Sequence, residues 1–158
     1  MAELAVSSIF SDDMVLQRNR PIPLWGTTHP GASVEVVCGD QAKSIRAGDD
    51  GKWGVVLDVI EAPGPYRIDV KSGGGSVSFK NVLVGDVYLC SGQSNMQWAV
   101  WQLSEREKVE ALAGLDDDIR LYQFPKEGKD SPAENAEAKW KRCTEGPARN
   151  FSAVGLFF

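Results

Sequence analysis

The sequence has little histidine and cysteine, and neither is spaced for a metal site. Its 158 residues include one histidine, His29, and three cysteines, Cys38, Cys90 and Cys143, with no Cys-x-x-Cys spacing. Structural zinc needs four closely paired nitrogen or sulfur ligands, so we expect no metal and no cofactor. Because the cysteine count is odd, a monomer keeps at least one free thiol. A disulfide between Cys90 and Cys143 stays an open alternative for a secreted protein.

Basic clusters and long apolar runs are also missing. The chain has 17 Lys and Arg against 22 Asp and Glu, which gives a formal net charge of −5. An acidic chain without a basic patch is a poor partner for nucleic acid, because phosphate neutralisation supplies much of that affinity. No apolar run reaches the roughly 18 residues of a membrane helix. Residues 1–4 lack the basic start of a secretory signal. We therefore expect neither a nucleic-acid partner nor a membrane span.

The first half of the sequence contains short apolar or β-branched runs separated by turn residues. Asp50-Gly51 favours a hairpin because glycine tolerates positive φ, and residues 73–75, all glycine, favour another. Short strands about ten residues apart predict that residues 1–82 form an antiparallel β-sandwich. The predicted strands cover residues 4–10, 22–25, 33–37, 53–59, 66–70 and 77–79.

Two tryptophans of this half, Trp25 and Trp53, fall in predicted strands. Large aromatic side chains stabilise a protein most when they are buried. We interpret both as core residues, with a platform for sugar binding as the alternative.

The pattern changes near residue 82, because residues 82–90 are almost continuously apolar. Such a run is typical of a strand buried on both faces of a parallel sheet. Ser104 and Glu107 have the spacing of a capping box and predict a helix, which Gly114 would end. Residues 119–124 indicate a second strand. Strand, loop, helix and strand in this order predict the start of an α/β domain.

The last part of this predicted domain, residues 151–158, reads as the first turns of an apolar helix. A parallel sheet needs other elements packed on both of its faces, and a sheet of only two strands is too small to be stable in this way. We therefore expect residues 83–158 to be the incomplete opening section of a larger α/β domain. We also expect the chain to associate through this unfinished half.

A serine-containing tetrapeptide, Gly92-Gln93-Ser94-Asn95, follows the predicted buried strand. Open α/β sheets bind ligands at the carboxyl ends of their strands, and glycine lets the backbone come close to a substrate. If a helix begins after Ser94, its free N–H groups point to where an oxyanion would develop. From these residues alone two interpretations stay open: a serine nucleophile, or a loop serine that caps the next helix.

Residues 85–98, which include the tetrapeptide, resemble the first block of the sialate O-acetylesterases, which are SGNH or GDSL-like hydrolases. The resemblance covers nearly the whole chain in order, and it implies a β-sandwich followed by a flavodoxin-like SGNH-hydrolase domain. Its motifs are specific when taken together. They are residues 85–98, residues 10–18, 23–26, 50–53 and 64–66 upstream, and residues 119–122, Trp140, Cys143 and residues 151–154 downstream.

The resemblance implies a serine esterase that removes O-acetyl groups from sialic acid or another acetylated sugar. Ser94 would be the nucleophile that forms an acetyl-enzyme, with its backbone N–H in the oxyanion hole. Gly92, Gln93 and Asn95 would support the loop. Trp98 is a candidate for lining the sugar cleft, and a place in the core is the alternative that we favour. The implied location is secreted, periplasmic or lysosomal.

The family's later blocks, which supply a second oxyanion Gly and Asn and an Asp-x-x-His motif, are absent from these 158 residues. His29 cannot replace that histidine, because we interpret it as a surface turn residue. Losing the histidine of such a unit costs about a factor of 10⁶ in kcat, so we expect the isolated chain to be inactive. The alternatives are a carbohydrate-binding or interaction β-sandwich module without chemistry, and one chain of a split enzyme.

Overall fold

The computed structural model describes residues 3–125, 128, 130–131 and 135–158. Residues 3–85, the sheet region, carry β1 to β8, and residues 86–158, the helical region, carry the other elements. The strands are β1 Ala5–Val6, β2 Val15–Gln17, β3 Ile22–Thr27, β4 Ser33–Cys38, β5 Gln41–Arg46, β6 Lys52–Leu57, β7 Tyr66–Ser72, β8 Gly75–Gly85, β9 Arg120–Leu121 and β10 Lys141–Arg142. The helices are α1 Glu105–Ala113, α2 Glu145–Asn150 and α3 Ala153–Phe157, and 3₁₀ turns cover Ser94–Gln97 and Val100–Gln102.

The sheet region contains one antiparallel sheet and one mixed sheet. The antiparallel sheet has three strands in the order β1-β3-β6. The mixed sheet has five strands in the order β2-β8-β7-β4-β5. Its pair β2–β8 is parallel, and its other neighbours are antiparallel. The sequence predicted short antiparallel strands here but not the parallel pair. Parallel neighbours need a long connection, which the whole stretch from β3 to β7 provides.

Alternating side chains from both sheets meet in one hydrophobic core. In β6, Trp53, Val55 and Leu57 are buried, while the residues between them face outward. This period of two is what a strand with one buried face requires. Burying a side chain of this size stabilises a fold by roughly 1.5–3 kcal/mol. The core members with no exposed surface are Leu24, Val34, Val36, Leu57, Ile68, Val70 and Val82.

The two glycine turns predicted from the sequence have different outcomes. Gly73 and Gly74 have φ of 55° and 88° and join β7 to β8 as a two-residue hairpin, as predicted. Gly51 also has a positive φ, of 77°, but the hairpin predicted there is wrong. β5 pairs with β4 and β6 pairs with β3, so this turn carries the chain from one sheet to the other.

The strand predicted over residues 82–90 is wrong beyond Gly85. Residues 82–85 complete β8, so this strand crosses the boundary that the sequence placed at residue 82. Residues 86–93 have no regular structure and are exposed. Backbone N–H and C=O groups of a strand need a neighbouring strand, and no strand of the described chain pairs with residues 86–90. An apolar run alone therefore did not make a strand.

The helical region follows the local signals in the sequence but not the predicted sheet. α1 begins after Ser104, whose hydroxyl accepts from the N–H of Glu107 in a capping box, and it ends at Gly114 as predicted. The second predicted strand shrinks to β9, which pairs antiparallel with β10. No parallel sheet forms among the described residues of this region. Val109, on α1, is exposed.

Small apolar clusters, rather than one large core, hold the helical region together. One has Val100, Ala111 and Ala153 at its centre. Another is built around Leu121 and Cys143 together with Ala148. No helix among the described residues is both long and apolar enough to span a membrane.

Trp140 ties the helical region to the sheet region. Its indole Nε1 donates to the carbonyl of Ile9 at 2.8 Å, and its backbone N–H donates to the hydroxyl of Ser11 at 3.1 Å. Its ring packs against the main core. The two regions are therefore joined by both polar and apolar contacts.

Candidate active site

Ser94 is the first residue of a tight turn that follows the irregular segment after β8. We call residues 92–97 the site turn and residues 86–91 the leader segment. The N–H of Met96 donates to the carbonyl of Gln93 at 3.0 Å, and the N–H of Trp98 donates to that of Asn95 at 3.3 Å. The Ser94 side chain is exposed. No described residue forms a hydrogen bond with its hydroxyl, which leaves the hydroxyl accessible from solvent.

The backbone at the start of this turn carries unpaired donors. Within the described chain, the N–H groups of Ser94 and Asn95 have no hydrogen-bond acceptor. This is usual for the first N–H groups of a helical turn. Such groups can bind a negatively charged oxygen, and they lie beside the Ser94 hydroxyl. Gln93 and Asn95 have exposed side chains on either side of it.

Gly92 lies close to Met96 in the site turn. A Cβ at this position would lie 3.1 Å from the Cβ of Met96. The sulfur of Met96 accepts a hydrogen bond from the hydroxyl of Ser152 at 3.2 Å. Ser152 is also the N-cap of α3, where it accepts from the N–H of Gly155. Met96 therefore attaches the site turn to the start of α3.

Backbone hydrogen bonds fix the far end of the site turn on the connection between α2 and α3. The N–H of Ala153 donates to the carbonyl of Trp98 at 2.7 Å, and the N–H of Val100 donates to that of Phe151 at 3.2 Å. Ala99 and Ser152 form an antiparallel bridge between these bonds. Residues 151–154, which the sequence marked as a family motif, thus support the site turn.

Trp98 directly follows the site turn, and its side chain is 51% exposed. Trp101, three residues later, is 56% exposed. The core position that we favoured for Trp98 is wrong. The residues between the two tryptophans in sequence include Ala99 and Val100, which are buried instead, and Val100 belongs to the cluster with Ala111 and Ala153. Trp98 is therefore available to a ligand at the site turn.

Among the described residues, no titratable side chain forms a hydrogen bond with the Ser94 hydroxyl. His29 is exposed in the turn after β3, as predicted, and belongs to the sheet region. Groups of three or more potential metal ligands are likewise absent from the described part of the chain. The site turn supplies a hydroxyl and backbone donors, but no proton acceptor.

A cleft lies between the two regions, and its lining does not include Ser94. It has a volume of about 1860 Å³, and its lining includes Trp25, Tyr122 and Phe124. Trp25 packs edge-on against Phe10, with ring centroids 4.7 Å apart, and is 44% exposed. The core prediction is thus confirmed for Trp53, which is buried, and wrong for Trp25. In a strand with one buried face, Trp25 occupies an outward position.

All three cysteines are free thiols in this structure. Cys143 is buried in the cluster around Leu121, whereas Cys90 is exposed in the leader segment. The disulfide that the sequence left open between them is not formed. Burial raises the pKa of the Cys38 thiol and that of the Cys143 thiol.

Comparison with solved structures shows that the chain is similar to a carbohydrate esterase. It is similar to a carbohydrate acetylesterase from Xanthomonas citri with a TM-score of 0.90 and 34% identity. The match covers 97% of this chain and 35% of that protein. The likeness therefore extends through both regions of the chain, in sequence as well as in fold.

Curated relatives identify the family. The sialate O-acetylesterase of Homo sapiens is 37% identical over 109 residues, which are 61% of this chain and 21% of the relative. That of Mus musculus is 30% identical over 154 residues, 89% of this chain and 28% of the relative. No protein-family model matches the chain. The comparisons confirm the assignment to the sialate O-acetylesterase family. The chain spans 21–28% of the length of these relatives.

Proposed function

We propose that this protein carries the nucleophile of a serine esterase that removes O-acetyl groups from sialic acid or another acetylated sugar. The observation that carries the proposal is the exposed Ser94 hydroxyl beside unpaired backbone N–H groups in the site turn. The names of its relatives, sialate O-acetylesterase and carbohydrate acetylesterase, support the substrate class.

We further propose that the sheet region is a β-sandwich and that the helical region is part of an SGNH-hydrolase α/β domain. Two sheets that share one hydrophobic core support the first part. The boundary proposed from the sequence, residues 1–82 and 83–158, moves three residues when it is drawn at the end of β8, Gly85.

The proposed chemistry is acyl transfer in two steps. A base takes the proton of the Ser94 hydroxyl while its oxygen attacks the acetyl carbonyl. The N–H of Ser94 donates to the resulting oxyanion. The sugar oxygen leaves with a proton, and an acetyl-enzyme remains. Water then attacks this ester, which releases acetate and restores the serine.

The base in this proposal comes from outside these 158 residues, in a longer polypeptide or in a second chain. The position of His29 in the sheet region and the lack of another histidine support this. The expected result is therefore that the 158-residue chain alone releases no acetate. Trp98, directly after the site turn, is the side chain we propose for contact with the sugar.

The test measures acetate release from p-nitrophenyl acetate and from O-acetylated sialic acid. The chain is assayed alone and after fusion to the part of the Xanthomonas citri relative that lies outside the matched 35% of that protein. Ser94→Ala should abolish acetate release by the fusion, and Ser91→Ala, a matched change at an exposed serine of the leader segment, should retain it. Full activity of Ser94→Ala would refute the nucleophile, and an inactive fusion that is correctly folded would refute the esterase function.

A second candidate, carbohydrate binding without chemistry, is favoured by the cleft between the regions. Trp25 presents an exposed aromatic face there, with the polar side chains of Asn135 and Asn150 also on the cleft lining. Aromatic faces of this kind pack against the apolar faces of sugars. If this candidate is right, acetylated sugars should bind the isolated chain in NMR titrations, and Trp25→Ala should remove binding while Trp98→Ala retains it. The opposite pattern would assign the sugar to the site turn.

A further inference from the structure

The residues at the end of β2 hold the beginning of the leader segment. Arg18 makes a two-pronged salt bridge to Asp86, from Nε to Oδ1 at 2.8 Å and from Nη2 to Oδ2 at 2.6 Å. The side-chain oxygen of Gln17 accepts from the N–H of Val87 at 3.0 Å. The N–H of Arg18 donates to the carbonyl of Gly85 at 2.9 Å. Gly85, Asp86 and Val87, where β8 ends and the leader segment begins, are therefore each bonded to the end of β2.

The stretch formed by the leader segment and the site turn is also attached at its other end, where the residues after the site turn bond to the α2–α3 connection. Between these attachments the leader segment contacts the end of the chain around α3. The ring of Tyr88 meets that of Phe158 edge-on, with centroids 5.1 Å apart. Cys90 lies against Gly155. The leader segment has no strand partner in the described chain, so its direction depends on the attachment at its start.

The form of the Arg18–Asp86 contact suits a role in orientation. Two parallel N–H···O bonds fix the angle of a carboxylate as well as its distance, which a single ammonium group does not do. The side chains of Arg18 and Asp86 are 56% and 39% exposed. Exposed ion pairs contribute little to global stability. Removing the pair should therefore change the local geometry more than the stability of the fold.

We propose that Arg18 and Gln17 are positioning residues for Ser94 and act through the leader segment. The proposal rests on the proposed function of Ser94 as a nucleophile. In the sequence, the contact joins residues 68 positions apart. It therefore connects β2, an edge strand of the mixed sheet, to the proposed catalytic turn in the helical region.

The test compares Arg18→Met with a matched control, Arg67→Met. Arg67 also donates from Nε to both oxygens of a carboxylate, that of Asp69, but the pair lies within β7, away from the leader segment. NMR amide exchange is measured at Met96 and Trp98, whose N–H groups close the site turn. Exchange there should become about fivefold faster in Arg18→Met and should not change in the control.

The activity measurement uses the acetate-releasing fusion described above. We expect kcat of Arg18→Met to fall about tenfold with little change in KM, because a misplaced nucleophile lowers the chemical step. Exchanging the partners, Arg18→Asp with Asp86→Arg, should restore part of kcat. If Arg18→Met does not fold, as judged by its urea midpoint, Asp86→Asn replaces it as the milder variant.

The outcomes separate this proposal from the proposed function. Unchanged exchange at Met96 and Trp98, or faster exchange with kcat unaltered in an active fusion, overturns the positioning role. Faster exchange in a protein whose wild-type fusion shows no Ser94-dependent hydrolysis means that the contact orders the site turn but that Ser94 is not the nucleophile. Faster exchange together with the loss of kcat supports both.

Discussion

Replacing Gly26 by alanine should loosen the edge of the three-stranded sheet. Gly26 lies in β3, between β1 and β6. A Cβ at this position would lie 2.1 Å from the carbonyl oxygen of Ala5, 2.9 Å from the Cα of Val6 and 2.8 Å from the Cζ2 of Trp53. Two of these atoms belong to the backbone of β1 and cannot turn aside. The methyl group would therefore push β1 away from β3.

The expected cost is near the upper end of the overpacking range. Inserting a carbon into a filled site typically costs about 1–3 kcal/mol, and a clash with backbone is harder to relieve than one with a flexible side chain. We expect Gly26→Ala to lower the free energy of unfolding by about 3 kcal/mol, a large part of the roughly 5–15 kcal/mol of a typical domain. Near the transition this corresponds to about 6–12 °C in Tm.

The neighbouring strand offers a matched control in Gly54→Ala. A Cβ at Gly54 of β6 would meet its nearest atom, the carbonyl oxygen of Leu24, at 3.9 Å, which is ordinary contact. Replacing glycine where there is space stabilises a fold by about 0.4–1 kcal/mol through the unfolded chain. Urea unfolding followed by tryptophan fluorescence compares the two variants. Equal midpoints for Gly26→Ala and Gly54→Ala would refute the close approach of β1 to β3.

Two further predictions concern titratable groups. A thiol reagent at pH 8 should modify Cys90 rapidly and should reach Cys38 and Cys143 only on unfolding. The reason is that Cys38 and Cys143 are buried and have raised pKa values. Three rapidly modified thiols in the folded protein, or fewer than three thiols in the unfolded protein, would contradict this. Asp69 has a lowered pKa because Ser78 and an arginine donate to it, so its stabilising effect is complete above about pH 4 and is lost as the pH falls through the folded pKa. Asp69→Asn should therefore be less stable than wild type in urea at pH 7 but not at pH 2, and a pH-independent difference would show that the charge is irrelevant.

Local features of the sequence determined local structure. The hairpin at Gly73 and Gly74 and the capping box at Ser104 were predicted correctly. Each depends on residues that are close in sequence: glycines that accept positive φ, and a hydroxyl that reaches the N–H three residues later.

The proposed site was reached through the family resemblance more than through the residues alone. The motif around Ser94 identified a candidate nucleophile, but it did not show that the preceding apolar residues would leave the sheet at Gly85. Nor did it show that Trp98 would be half exposed. Whether an apolar run becomes a strand depends on a neighbouring strand, and exposure depends on what packs beneath a side chain. Neither the strand partner nor the packing beneath a side chain can be inferred from the apolar run alone.

Contacts between distant residues were decided only by the tertiary structure. The sequence marked an Asp50-Gly51 turn but could not show that β6 would pair with β3 instead of β5. It contained Arg18 and Asp86 in two separate motifs without indicating that they form a salt bridge across 68 positions. A turn or a helix cap is fixed by the geometry of a few consecutive residues. A pairing across the chain forms only when the competing ways of burying the apolar faces of all strands have been resolved together.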